Sequence, residues 1–154
     1  MRTSFDDLLA VKRLAPHEPT AAEVDALLRR AERDLRHALV SADSEDWRFI
    51  AAYSAALALA TVVLAASGFR ARGAGHHLTT IGALPLGLGN EVAVASSYLN
   101  DCRELRNEVL YDEPGGVKRA EVERLIGEVE RLRGHVLAWL AEQHPDLLPE
   151  EGGG

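Results

Sequence analysis

Two long segments of the chain carry apolar residues at alternating spacings of three and four, the pattern of an amphipathic helix. The first segment begins at Thr20, which forms a capping-box pattern with Glu23, and it runs to about Val40. Its apolar positions are Val24, Leu27, Leu28, Ala31, Leu35, Ala38 and Leu39. The second segment runs from Val117 to Gln143, with Val122, Leu125, Ile126, Val129, Leu132, Val136, Leu137 and Leu140 on one stripe. Both segments predict long helices that bury one face.

An uncharged, alanine-rich stretch from Phe49 to Ala66 lies between these helices and is apolar on nearly every side. Its length is at the lower limit for crossing a bilayer, so a membrane span is the alternative to a core helix. Charged residues directly before it and polar residues within it favour a core helix surrounded by other helices. These residues are Glu45, Asp46 and Arg48, followed by Tyr53, Ser54 and Thr61. Asp43 or Ser44 is expected to cap this helix, and Gly68 to end it.

Shorter elements separated by glycine and proline fill the rest of the chain. They are a weak helix at Ser4–Leu14, a basic loop at Phe69–Gly75, a short helix at His76–Leu84 ended by Pro85, a helix from Asn90 to Tyr111 or Asp112, and a turn at Pro114–Gly116. We therefore predict an all-α, up-and-down bundle of four or five helices without strands, formed by one domain over residues 1–148. The acidic, glycine-rich residues 149–154 are predicted to form a disordered tail.

Composition and charge limit the classes of function. The formal net charge of −7 argues against an open surface that binds nucleic acid by charge alone, although a local cationic cleft is compatible with it. Cys102 is the single cysteine, which excludes an intrachain disulfide and fits a reducing cytoplasm. Asp6 and Asp7 stand where a signal peptide needs a basic start, so we expect a cytoplasmic protein without membrane attachment. No metal-binding or cofactor-binding pattern is found, and neither group is expected.

The helix from Asn90 to Tyr111 carries the most suggestive cluster of polar residues. On a helical wheel Arg103, Arg106, Asn107 and Tyr111 fall within an arc of about 140°. The opposite side should face the core with Tyr98, Cys102, Leu105 and Val109.

Apolar residues also project among the polar ones on this helix. Val92, Leu99 and Leu110 would be left exposed there, which predicts a homodimer in which the helix meets its own copy. Two arginines from each chain would then form a cationic cleft suited to phosphate. The alternative is that the arginines pair with nearby carboxylates and only orient helices. The candidate carboxylates are Asp101, Glu104, Glu108 and Asp112.

This order of elements resembles the HEPN domain family. The features are an alanine-rich helix ending at Gly68, a basic loop with Gly75, His76 and His77, and a helix carrying Arg106, Asn107, Tyr111 and Asp112. The resemblance is to the actinobacterial type with an RNxxxYD signature, and it covers about Ala21 to Leu140. It implies a helical bundle, usually a homodimer, often with a metal-independent ribonuclease site at the dimer interface.

In active members of that family a histidine follows the arginine on the same helix, and here Tyr111 occupies its place. A tyrosine with its ordinary pKa near 10 is a poor general base at neutral pH. The resemblance therefore implies that Arg106 stabilises charge on the phosphate, that Asn107 holds it, and that Tyr111 donates a hydrogen bond or proton. Arg103 and Arg72 are further candidates for binding the substrate. His76 or His77 could supply the missing base, although both could equally serve in packing at the start of a helix.

Two functions remain open at this point. The first is an RNA-directed protein, possibly a ribonuclease of toxin or defence type that needs no metal. The second is an inactive helical dimer that binds a cognate protein, as in toxin–antitoxin or defence systems. Loss of the family histidine favours the second, whereas retention of Arg106, Asn107 and Tyr111 favours a site that still recognises an anion.

Overall fold

A computed structural model describes residues 3–40, 44–111 and 116–148, and the side chains of residues 110 and 111 lie outside the described part. The helices are α1 (Phe5–Ala10), α2 (Ala21–Ala38), α3 (Glu45–Ala66), α4 (His76–Gly82), α5 (Leu84–Leu88), α6 (Ala93–Tyr111) and α7 (Arg119–Gln143). The strands are β1 (Leu14–Pro16) and β2 (Phe69–Ala71), and 3-10 turns lie at Asn90–Val92 and Pro145–Leu147. The predicted tail at 149–154, most of the predicted turn at 114–116, and residues Asp43 and Asp112 lie outside the described residues.

Helix α3 is the centre of the bundle, as its nearly continuous apolar sequence predicts. Ser44 caps it by accepting a hydrogen bond from the Trp47 backbone N–H at 3.2 Å, and Gly68 follows its last turn. Among the described residues it is the one helix long and apolar enough to cross a membrane, and most of that stretch is buried inside the protein. Such burial is typical of the core helix of a soluble protein.

Helices α2 and α7 pack against α3 with the two apolar stripes that the sequence predicts. Thr20 caps α2 by accepting from the Glu23 N–H at 3.1 Å, but the Glu23 carboxylate pairs with His17 at 2.8 Å, so the predicted capping box is half formed. Arg48 at the start of α3 donates to the Ala38 carbonyl at 2.8 Å and so satisfies the end of α2. The described bundle is therefore held by apolar faces and by side chains that complete its helix ends.

A small antiparallel sheet corrects the prediction of a fold without strands. Leu14 pairs with Ala71 and Pro16 with Phe69, so the predicted helix at Ser4–Leu14 ends early and the predicted basic loop begins as a strand. Each strand has three residues, too few for an alternating pattern to be read from the sequence. Pairing satisfies backbone groups of both segments and leaves Leu14 buried.

Helices α4 and α5 form the wall that positions the candidate site. Pro85 was expected to end a helix, but it lies in the first turn of α5, where its missing N–H is tolerated. Helix α5 lies close to α3 at Gly87, where an added Cβ would stand 2.4 Å from Val63 Cγ1. On the other side Ser96 of α6 donates to the Ile81 carbonyl of α4 at 2.8 Å. Helix α4 is thus held between the central helix and α6.

Candidate anion-binding site

Other helices of the same chain cover α6 on two sides, so the apolar residues that were predicted to be exposed are buried. Val92 and Leu99 are only 5% and 1% exposed and belong to the main core, and so do Cys102 and Val109 on the other side. The expectation that Val92 and Leu99 need a second subunit to cover them is therefore wrong. The helical wheel gave their direction correctly but could not show that the chain's own helices lie there. Leu110, the third residue of that set, has a side chain outside the described part.

Two of the predicted site residues on α6 face the start of α4 across a small cavity. Arg103 and Asn107 line this cavity of about 230 Å³ together with Gly75, His76, His77 and Leu78. Gly75 precedes α4 with a positive φ of 74°, a conformation that glycine adopts readily. The loop can therefore turn sharply enough to present both imidazoles to α6.

Arg106 lies beside this cavity and rests on the core. Its guanidinium carbon is 5.3 Å from the centre of the Tyr53 ring, a cation–π distance, and its Nη1 donates to Asn107 Oδ1 at 3.4 Å. The His77 ring centre is 6.3 Å from that of Tyr53. Tyr53 therefore connects the cation of α6 with the histidine of α4.

The two imidazoles meet edge to face, with ring centres 4.9 Å apart. His76 Nδ1 donates to the Gly73 carbonyl at 3.2 Å, so a neutral His76 leaves its Nε2 free to accept a proton. Burial lowers the pKa of His77, and the neighbouring His76, Arg106 and Arg103 lower it further. His77 is thus neutral at pH 7, the state in which an imidazole acts as a base.

Carboxylates do little to neutralise these arginines in the described part of the chain. Arg103 forms its one ion pair there with the exposed Glu104 at 3.8 Å, a weak contact in water. No ion pair of Arg106 with a carboxylate occurs among the described residues. Of the carboxylates expected to pair with these arginines, Glu104 contacts Arg103 and Asp112 lies outside the described residues, so the alternative in which the arginines orient helices stays open.

Buried polar atoms without hydrogen-bond partners among the described residues collect around this site. They are the Tyr53 hydroxyl, Arg103 Nε and Asn100 Oδ1. Burial raises the pKa of Tyr53 to about 12, an effect that the positive charges of Arg106 and Arg103 reduce. By contrast Ser54 donates to Asp34 and Thr61 to the Leu57 carbonyl, so the other polar residues that interrupt α3 are satisfied. Unsatisfied buried groups are costly and uncommon, and their grouping marks this place in the fold.

The two remaining predicted site residues are Arg72 and Tyr111. Arg72 is exposed after β2 and is not among the residues that line the cavity. Tyr111 is the last residue of α6, and its side chain lies outside the described part. Cys102 is buried on the other side of α6, and burial raises its pKa to about 11, so its thiol stays protonated.

Tyr53 contacts the site through the guanidinium of Arg106 but was not predicted to belong to it. The one signal for Tyr53 was an aromatic residue with a hydroxyl group within a mostly aliphatic helix.

Metal chemistry receives no support from the described residues, which contain no group of three or more His, Cys, Asp or Glu side chains able to hold an ion. What the arrangement offers is one cation, an amide and two imidazoles that line a small cavity, with Arg106 as a second cation beside it. Groups of these kinds are able to bind an anion and to exchange a proton with it. The chain matches no family model, no curated protein and no solved structure, so its resemblance to the HEPN family rests on the sequence features alone.

Proposed function

We propose that this protein is an RNA-directed protein of the HEPN type. It binds a phosphate of RNA at Arg103, Arg106 and Asn107, and it cleaves the RNA strand without a metal. The observation that carries the proposal is the placement of two arginines without strong carboxylate partners, in the described part of the chain, opposite the imidazoles of α4. Phosphate suits the fork of a guanidinium.

Active HEPN nucleases carry a histidine on the helix that corresponds to α6, and this protein has Tyr111 there instead. His77 of α4 supplies the base in its place. It takes the proton of a ribose 2′-hydroxyl, and the oxygen attacks the adjacent phosphorus while the bond to the 5′-oxygen breaks. Arg103 and Arg106 stabilise the negative charge that develops on the phosphate oxygens. The resemblance assigns the proton for the departing 5′-oxygen to Tyr111. The products are a 2′,3′-cyclic phosphate and a 5′-hydroxyl.

A homodimer through α6 remains part of this proposal on the strength of the resemblance alone, since Val92 and Leu99 are covered within the chain. Val94 near the start of α6 is strongly exposed and is available for such a contact. Light scattering at several protein concentrations measures the mass of the particle and so tests the dimer. We also propose a cytoplasmic location.

Cleavage of a single-stranded RNA in the presence of a chelator tests the proposed activity. Wild type should release cyclic-phosphate ends, and Arg106→Ala and His77→Asn should each reduce the rate by roughly 100-fold or more, the usual effect of losing a charge-stabilising group or a base. Tyr111→Phe tests the proton donor in the same assay. Arg131→Ala on α7 is the matched control, because it removes one exposed arginine elsewhere and should leave the rate unchanged. Wild type that neither cleaves nor binds RNA would remove the proposal.

A protein-interaction module is the second candidate, and a separate surface favours it. Trp47 is 65% exposed, and Leu39 and Val40 at the end of α2 are also exposed. Exposed large apolar side chains are often found at contacts with another protein. This function predicts that a cognate partner co-purifies with wild type and is lost in Trp47→Ser, while Arg106→Ala changes nothing.

A further inference from the structure

An open, largely apolar groove lies between the start of the chain and the helices α4, α5 and α6. Its volume is about 810 Å³, and its apolar walls are formed by Phe5, Leu8, Leu78, Pro85 and Leu86. Leu78 is 41% exposed although it is a large apolar residue. Helix α1 has no fully buried residue, so Phe5 and Leu8 also stay in partial contact with water. Apolar surface left in water in this way is typical of an interaction site.

The small sheet brings positive charge to this groove. Arg13 is the one charged residue among the described residues that line it, and no carboxylate lines it there. The Arg72 N–H donates to the Arg13 carbonyl at 2.9 Å, so Arg72 stands opposite Arg13 directly beyond the strand pair. Arg70 is two residues before Arg72, and residues two apart on a strand project from the same face. We call Arg13, Arg70 and Arg72 the sheet arginines.

The sheet arginines have no ion-pair partners in the described part of the chain. All three are exposed, and none of them contacts a carboxylate there. Exposed arginines elsewhere often pair within their own helix, as Arg29 does with Asp25 at 2.9 Å in α2. The protein as a whole is acidic, with a formal net charge of −7. A surface that complements the sheet arginines must therefore carry carboxylates or other anions.

The walls of the groove favour aliphatic side chains over the bases of RNA. Bases are bound by proteins mainly through stacking on aromatic rings. Phe5 is the one aromatic residue among the described residues that line the groove. Its ring already stacks on that of Phe69, with ring centres 4.6 Å apart, so one of its faces is occupied. The other apolar walls are leucine and proline side chains, which bury further aliphatic groups readily.

We infer that the groove and the sheet arginines form a docking surface for a peptide segment of another protein. That segment carries large aliphatic residues beside a run of carboxylates. Its aliphatic side chains leave water in the groove, and its carboxylates pair with the guanidinium groups, whose planar fork matches them.

This docking surface is distinct from the one at Trp47. Trp47 lies in the first turn of α3 and β2 follows its last turn, which places them about 30 Å apart along the helix. Leu78 lines both the groove and the small cavity at Arg103. A docked segment would therefore reach the edge of the proposed phosphate site, a consequence that rests on the proposed function, whereas the docking itself does not.

Fluorescence anisotropy with a labelled synthetic peptide tests the inference. The probe joins a leucine-rich half to a glutamate-rich half, and two comparison peptides replace the glutamates by lysines or the leucines by serines. Wild type should bind the probe at least about tenfold more tightly than either comparison peptide. Arg13→Glu and Leu78→Ser should each weaken the probe by roughly tenfold, and Arg13→Ala replaces the first variant if glutamate perturbs folding. Arg36→Glu is the matched control, because Arg36 is an exposed arginine of α2 without an ion pair among the described residues.

The outcomes separate this inference from the proposed function. Equal affinity for the three peptides, or probe binding that Arg13→Glu and Leu78→Ser leave unchanged, overturns the docking surface. Loss of RNA binding in Arg70→Glu would assign the sheet arginines to RNA and also overturn it. Arg106→Ala should bind the probe as wild type does, so a failure of RNA cleavage leaves the docking surface standing.

Discussion

The two arginines of the candidate site are held in different ways, and the difference matters for what each can do. Arg106 lies over the ring of Tyr53 and is steadied by Asn107, so its position is set before any ligand arrives. Arg103 has a buried Nε without a partner among the described residues and one weak ion pair. An anion that satisfies this donor would remove the cost of leaving it unpaired. Arg106 is therefore suited to orientation and Arg103 to affinity.

The pKa of His77 provides a direct check of this arrangement. NMR titration should place it below the ordinary value of 6.5, because burial and the neighbouring His76, Arg106 and Arg103 disfavour the charged ring. Arg106→Ala should move it upward, and Arg131→Ala should not. A His77 that titrates at or above 6.5 in wild type would contradict the described geometry.

The lowered pKa of His77 also determines how its contribution to stability changes with pH. The unfolded chain takes up a proton near pH 6.5 more readily than the folded protein does. The contribution of His77 to the free energy of unfolding is therefore complete above pH 6.5 and declines as the pH falls toward the lower pKa of the folded protein.

Helix α5 shows how a single small residue determines the packing of an element. An added Cβ at Gly87 would overlap Val63 of α3. This contact holds the wall formed by α4 and α5 close to the core. His76, His77 and Leu78 of that wall line the small cavity at Arg103. Leu78, Pro85 and Leu86 line the larger open groove of about 810 Å³. The effect of adding a methyl group at Gly87 on the free energy of unfolding can be compared with the same change at a glycine that has free space around it.

Gly87→Ala should lower the free energy of unfolding by roughly 1–3 kcal/mol, the usual cost of overpacking a core. Gly134→Ala on α7 is the matched control, since nothing lies within 4 Å of its added Cβ. Alanine is a better helix former than glycine, so this control should be stabilising by about 0.5–1 kcal/mol. Denaturant unfolding measures both changes, and a neutral Gly87→Ala would show that α5 does not lie this close to α3.

Elements with long local patterns were predictable from the sequence, whereas contacts between distant segments were not. The caps Thr20 and Ser44 and the stripes of α2 and α7 are found as predicted, except that Leu39, assigned to the α2 stripe, is 55% exposed just beyond the end of that helix. The sheet was missed because three-residue strands carry no periodic signal. Helical spacing was enough to place the residues of the site on one side of α6. It could not show that Tyr53 and His77 lie next to them, because these residues belong to other helices and a sequence pattern does not reveal how helices pack.

Considered as a whole molecule, the protein combines an acidic net charge with a local cationic cluster on α6. Its formal net charge is −7, while Arg103 and Arg106 lack strong carboxylate partners in the described part of the chain. Under the proposed function, binding of RNA would depend on a few close contacts, because the overall field repels a polyanion.

The salt dependence of RNA binding should be correspondingly shallow. A single neutralised phosphate on a single strand predicts a slope of about −0.7 in a plot of log binding constant against log salt, and Arg106→Ala should lower the affinity without making the slope steeper. Fluorescence anisotropy across a range of salt concentrations measures the slope. A value several times steeper would indicate an extended basic surface and would contradict a two-arginine site.

The pairing of β1 with β2 ties the beginning of the chain to the loop that leads into α4. The Arg72 N–H donates to the Arg13 carbonyl at 2.9 Å, directly beyond the strand pair and four residues before His76. Proteolytic trimming or a bulky fusion at the amino terminus would loosen this anchor and, through it, the placement of both imidazoles. Under the proposed function, activity would then depend on this anchor, although none of its residues contributes a reacting group.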